Sequence, residues 1–193
     1  MLSQLWPALR INIFLTILLG VAYPLVITGV SQVLFPHQAN GSLITRNGQV
    51  VGSELLGQNF AKTEYFQPRP SAAGNDGYDP TASGGSNYGP TNQKLIDRTK
   101  AAVEKFHKDN PDFHGPIPAD LLTASASGLD PDISPASAEA QIARVAKARG
   151  ISQDQLSRFV AQHTQGPDLG LLGEPRVNVL KLNLALDQQY PKK

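Results

Sequence analysis

The chain has 193 residues and 40% hydrophobic content, enough for one ordinary core and too apolar for wholesale disorder. Lys and Arg number 17 against 16 Asp and Glu, so the formal net charge of +1 gives no broad basic field to collect nucleic acid by counterion release. Cys is absent, which excludes disulfides, thiolate metal ligands and cysteine nucleophiles together.

Residues 1–10 form a short N-terminal lead that ends at Arg10, and no Lys, Arg, Asp or Glu follows until Arg46. The uncharged run at 11–35 is predominantly apolar and long enough to cross about 30 Å of hydrocarbon as a helix. Trp6 before the run and Tyr23 inside it are anchor aromatics, and Pro24 predicts a kink because it cannot donate to the i−4 carbonyl. A cleaved signal peptide is the rival reading, since Gly29-Val30-Ser31 offers a small-x-small pattern. Its apolar region spans roughly 7–15 residues, however, and this run exceeds that, so a permanent anchor is expected. Arg10 on one flank, against no cation before Arg46 on the other, places the N-terminus in the cytoplasm and residues 36–193 outside.

Asn12, Thr16, Gly20, Pro24, Thr28 and Gln32 recur at every fourth position, which aligns the small and polar side chains of the span as a ridge. Small residues let helix backbones approach, and amides or hydroxyls bond across the contact, so the ridge is a candidate surface for larger membrane subunits. On a straight α-helix such a row drifts about 40° per step and therefore wraps. The alternative is that Thr16 and Thr28 bond back to their own helix.

Beyond the span, Asn47-Gly48 between apolar flanks predicts a β-hairpin over Ser42 to Gly52 with a type I′ turn. Glu64 to Gln67 reads as a further strand closed off by Pro68. From Arg69 to Asn92 the chain is rich in Gly, Ser, Pro, Asn and Tyr, which marks an ordered functional loop rather than a plain linker. Its candidate residues are Arg69, Ser71, Ser83, Gly84, Gly85, Ser86, Asn87, Tyr88 and Gly89. Asn92 can cap a helix with an apolar face through Leu95, Ile96, Thr99, Val103 and Phe106, limited by Pro111. A short strand is expected at Asp120 to Thr123. Ser134-Pro135 then starts a helix that runs to Arg149, with Gly150 at C′, and Ser152-Gln153-Asp154-Gln155 is a capping box for the next. Val177 to Leu182 suits a half-buried strand, although Leu182 to Leu186 fits a helix equally well. Strands and helices do not alternate strictly, so the fold class is an α+β domain on a single N-terminal transmembrane helix.

The search for chemistry yields little. Gly84 to Thr91 has the glycine spacing of a Walker A loop, but Pro90 stands where the phosphate-binding Lys belongs and removes a backbone N–H. His37, His107, His114 and His163 lack metal-ligand spacing, and Asn75, Asp76, Asp79, Asp130 and Asp132 fit no calcium loop. Ser125, Ser127 and His163 lie in no nucleophile elbow. No catalytic residue, metal site or cofactor held by this chain is expected.

Several stretches resemble the C subunit family of the Kdp-type potassium-transporting ATPase: Gly52 to Gln58, Gln67 to Ala72, Ser83 to Asn92, Thr123 to Pro131, Ile133 to Ala146, His163-Thr164 and Leu172 to Leu180. The resemblance covers nearly the whole chain. It implies a single-pass inner-membrane, non-catalytic subunit of an ATP-driven potassium importer, in which the complex handles ATP and potassium. The implied partners are a channel-like potassium-translocating subunit, a P-type ATPase subunit, a small helical subunit and membrane lipid. It also implies a catalytic chaperone that raises the ATP affinity of the ATPase subunit. With the domain outside, that effect would pass through the membrane helix; the alternative is a nucleotide-binding chaperone acting directly from the cytoplasmic side through Ser83 to Thr91.

Overall fold

A computed structural model describes residues 2–191, and it divides into two compact units, Met1–Ser53 and Glu54–Lys193. The first is dominated by one continuous helix, Leu5–Leu34, long and apolar enough to cross a membrane and with none of its apolar window buried. It comprises α1 (Leu5–Ile17), a single π turn (Leu18–Ala22) and α2 (Tyr23–Leu34). The π turn lies just before Pro24, whose missing N–H leaves the carbonyl one turn back without its α-helical donor, so the expected distortion takes the form of a π bulge. The helix begins upstream of the uncharged run and takes in Arg10, whose guanidinium stacks 4.9 Å from the Trp6 ring centre. It ends at Phe35, forced out of helical geometry by Pro36, which opens the short helix α3 (Pro36–Ala39).

The expected hairpin forms from β1 (Leu43–Arg46) and β2 (Gln49–Ser53), paired antiparallel with an irregularity between Ile44 and Thr45. Asn47 and Gly48 both hold positive φ, 53° and 79°, as a type I′ turn requires.

The second unit carries the helices α4 (Gln93–Asp109), α5 (Pro135–Glu139), α6 (Ile142–Arg149), α7 (Gln153–Gln162) and α8 (Val179–Gln189). Its sheet is small: β3 (Asp132–Ile133), β5 (Arg176–Asn178) and β4 (Thr164–Gln165) lie in the order β3-β5-β4, all antiparallel. The α+β reading therefore holds. Phe66, Ile133, Val145, Leu156, Phe159, Val177, Leu182 and Leu186 meet in the main core, and Phe106 with Leu121 and Ala140 makes a smaller one, closed by Phe113 edge-on to Phe106.

The local start signals hold. Asn92 accepts from Lys94 N, Ser134 from Ser137 N, and Ser152 and Gln155 complete a reciprocal capping box.

Four expectations are corrected. Glu64 to Gln67 is not a strand, because distant side chains take up its backbone. Asn183 accepts from Phe66 N and donates to Phe66 O, both at 2.9 Å, and Gln141 does the same for Gln67 at 2.7 and 3.1 Å. Arg144 donates to Thr63 O and Tyr65 O, and Arg149 to Glu64 O. The expected strand at Asp120 to Thr123 is instead a 3₁₀ turn over Ala119–Leu121, which aims the Asp120 carboxylate at Ser134 and Ser137. The expected helix from Pro135 to Arg149 breaks at Ala140 and Gln141, where Gln141 turns inward to meet Gln67. Val177 to Leu182 is strand only through Asn178; the Asn178 side chain then caps α8 by accepting from Lys181 N.

Candidate functional site

On the long helix, the candidate ridge residues Asn12, Thr16, Gly20, Thr28 and Gln32 all lie on the exposed surface of the span, apart from some occlusion near Ser31. Thr28 donates to Pro24 O at 2.8 Å, so its hydroxyl bonds back to its own helix. The Gln32 amide exchanges hydrogen bonds with the Asn40 amide at 3.2 and 3.3 Å, which ties the end of the span to the turn after α3. The π turn matters for the row's direction. Five steps from Asn12 to Gln32 sweep about 200° on a straight helix. One inserted residue takes back about 100°, leaving a row about 100° wide, the width of an ordinary contact face.

In the second unit, Arg69, Ser71, Ser83, Gly84 and Gly85 converge on residues 126–130. Arg69 pairs with Asp130 at 2.7 Å. The Ser71 hydroxyl donates to Gly128 O at 2.6 Å and accepts from Ala73 N and Tyr78 N, while Arg98 reaches Ser71 O at 2.9 Å. Tyr78 folds back to donate to Arg69 O at 2.6 Å, and burial pushes its phenol up to about 12, so it stays a neutral donor. Gly84 N and the Ser83 hydroxyl both donate to Ser127 O.

Two glycines make this interlock sterically possible. A Cβ on Gly85 would stand 2.9 Å from Ala126 O, and one on Gly128, at φ +69°, would stand 2.7 Å from Ala73 N and 2.8 Å from Gly84 O. The glycine spacing that resembles a phosphate loop thus serves backbone against backbone. Ser86 is half-buried; Asn87, at φ +52°, Tyr88 and Gly89 leave the interlock and are exposed, and Asn92 N then closes a turn on Gly89 O.

Arginines fasten the 63–67 segment to the helices. Arg144 is buried, donates to Asn110, Thr63, Tyr65 and Gln141, and is drawn down to about 10 by burial. Arg149 lies over the Tyr65 ring and pairs with Asp187, which also accepts from the Tyr65 hydroxyl. Beside this segment runs a cleft of about 480 Å³, lined by Phe60, Pro68, Pro70, Tyr78 and Phe106 and rimmed by the Lys105–Asp109 ion pair. Among the described residues no group of three or more His, Asp or Glu side chains is arranged to hold a metal ion. Ser125 is buried, and its backbone carbonyl accepts from Gly128 N; the His163 ring bonds Phe159 O, within its own turn.

Of the exposed loop at 167–173, only Leu172 and Gly173 fall in a stretch that resembles the family, and none of its residues is a candidate from the sequence. Its leucines look like core residues in the sequence, and the flanking Pro167, Asp168, Gly170 and Gly173 were the available signal that they sit on a turn.

Comparison with known proteins identifies the family. The family model described as "K+-transporting ATPase, c chain" matches residues 5–188. A relative from Gemmatimonas aurantiaca is 58% identical over 187 residues, covering 97% of this chain and 94% of its own. One from Rhodospirillum rubrum is 56% identical over 191 residues, covering 99% and 98%, and one from Koribacter versatilis is 53% identical over 192 residues, covering 99% and 97%. Each is named a potassium-transporting ATPase KdpC subunit. With a match that runs from the first turn of the long helix almost to the end of α8, the chain belongs to the KdpC family, the c chain of the K+-transporting ATPase.

Proposed function

We infer that this chain is a non-catalytic, single-pass accessory subunit of an ATP-driven potassium importer, held in the inner membrane by Leu5–Leu34 with its α+β domain outside. The observation that carries this reading is the long helix itself: it exposes apolar side chains all round, with no partner among the described residues to cover them. Such a helix needs lipid and neighbouring helices to cover it. The ridge, straightened by the π turn, supplies a face for larger membrane subunits of the pump: the channel-like potassium-translocating subunit, the ATPase subunit or the small helical one. Arg10 on one flank of the span, against no Lys or Arg before Arg46 on the other, supports that orientation.

In this reading any rise in the ATP affinity of the ATPase subunit is a coupling free energy passed through the membrane helix. Direct nucleotide binding by Ser83 to Thr91 is disfavoured, because the Gly84 N–H is committed to Ser127 O and Pro90 has none to offer. The test replaces Asn12, Thr16 and Gly20 together with Leu. The pump is then purified through a tag on another subunit, and the retained chain and the potassium-stimulated ATPase are measured. Loss of both is expected; wild-type yield and activity would count against the ridge as the assembly surface.

A further inference from the structure

Outside the helix, the most exposed apolar side chains cluster on one loop: Leu169 is 90%, Leu171 87% and Leu172 62% exposed. Leu169 and Leu171 are barer than any large apolar residue of the membrane-type helix, where Val33 reaches 79%. This loop is built to hold its shape. Asp168 and Leu172 exchange backbone hydrogen bonds at 2.8 and 2.9 Å, Gly170 N donates to Pro167 O, and Leu171 N to Asp168 O. Its foot is pinned because Arg176, on the central strand β5, pairs with Asp168 at 3.1 Å and lies 3.6 Å from Asp132. Leu169 holds φ +54°, a left-handed state unfavourable for any residue with a Cβ. A strained leucine held out into solvent gains nothing within its own chain, and strain of this kind persists where surrounding structure enforces it at sites of contact.

The surroundings decide what covers the tip. Three leucines expose a few hundred Å², well short of the roughly 800 Å² per partner that a free-standing interface needs, so a second copy would not be held by the loop alone. The loop suits a chain already tethered beside its partner by another element, where a small contact acts at high effective concentration. An anionic lipid surface selects a basic or aromatic rim. Here the rim is mildly acidic: among the described residues, Arg176 is bound to Asp168 and Asp132, and exposed Glu174 has no ion-pair partner.

We propose that residues 167–173 are a leucine plug that seats in an apolar socket, rimmed by Lys or Arg, on a neighbouring subunit of the same pump. The proposal deepens the accessory-subunit reading and rests on it. The test places a photo-crosslinking phenylalanine analogue at position 171 in the intact, membrane-assembled pump, and maps adducts by mass spectrometry. In parallel it measures how fast the chain is lost from immobilised pump when Leu169, Leu171 and Leu172 are all Ser. Adducts to another subunit, in an apolar segment flanked by basic residues, are expected, with loss accelerated at least about tenfold. The isolated full chain should keep its melting temperature, because the three leucines are mostly exposed and belong to neither buried core. Adducts only to lipid or to a second copy, or no adduct with wild-type loss rates, would overturn the plug while leaving the subunit reading intact. Failure of the wild-type chain to co-purify with the pump would overturn both.

Discussion

Asn183 and Phe66 offer the sharpest test of how the second unit is held together. Both are almost fully buried, and the Asn183 amide satisfies both backbone groups of Phe66, at 2.9 Å each. Asn183→Leu keeps the branched side-chain shape with somewhat more bulk, excludes water and leaves an N–H and a C=O unpaired in the core. Each stranded group costs about 1–3 kcal/mol, so the pair costs about 2–6 kcal/mol. Burial of leucine in place of an amide returns at most about 2 kcal/mol. The midpoint of that cost less the full return leaves an expected net loss of about 2 kcal/mol, a large share of the 5–15 kcal/mol typical of a domain. Urea unfolding of the full chain in detergent, followed by far-ultraviolet circular dichroism, reads it as a lower midpoint at unchanged slope. Asn183→Ala leaves room for a water to bond Phe66, so its cost combines a small cavity with a partial rescue. A shift in the leucine variant worth less than about 0.5 kcal/mol would refute the claim that this amide replaces a strand partner.

Three further predictions follow from the same geometry. Gly128→Ala, at a positive φ and in the face of Ala73 and Gly84, should cost more than about 3 kcal/mol, whereas Gly89→Ala, in open space, should stay within about 0.5 kcal/mol; thermal melts of the two compare the interlocked and exposed parts of the loop. Burial alone would raise the Asp120 carboxyl, but the Ser134 N–H and the Ser137 and Ser134 hydroxyls hold it below its ordinary value of 3.8. A depressed folded value gives stability that is present above the unfolded value and lost as pH falls through the folded one. Asp120→Asn should therefore shrink the drop in stability between pH 5 and pH 2, and an unchanged acid limb in urea titrations would contradict it. Ser152→Ala removes the capping box of α7 and should cost about 1 kcal/mol in the same assay.

What the sequence makes legible is what neighbours in the chain decide. Asn47-Gly48 closes its hairpin, Asn92, Ser134 and Ser152 start their helices, and Gly150 ends α6, because each depends on bonds within a few residues. Glu64 to Gln67 misleads because its partners, Asn183, Gln141, Arg144 and Arg149, lie far along the chain and are side chains rather than a neighbouring strand. The break at Gln141 has the same origin, since a glutamine with good helix propensity is diverted to a backbone it meets only after folding.

The loop candidates show a similar division. Glycine at 84 and 85 signals a close approach, but only the fold reveals that Ala126 and Ser127 make it. In the membrane helix, the row from Asn12 to Gln32 is visible as a spacing, and Pro24 as a distortion. That the two combine, with a π turn drawing the row back onto one face, depends on geometry that the spacing alone does not carry.

Orientation is the point on which the rest turns, and the absence of cysteine makes it directly measurable. Ser3→Cys and Ser86→Cys, each the sole thiol of its chain, are exposed to a membrane-impermeant maleimide on intact spheroplasts, with lysed cells as the control. The account predicts labelling of the thiol at 86 and protection of the one at 3 until lysis. Labelling at 3 with protection at 86 would contradict it, since the α+β domain would then lie on the cytoplasmic side.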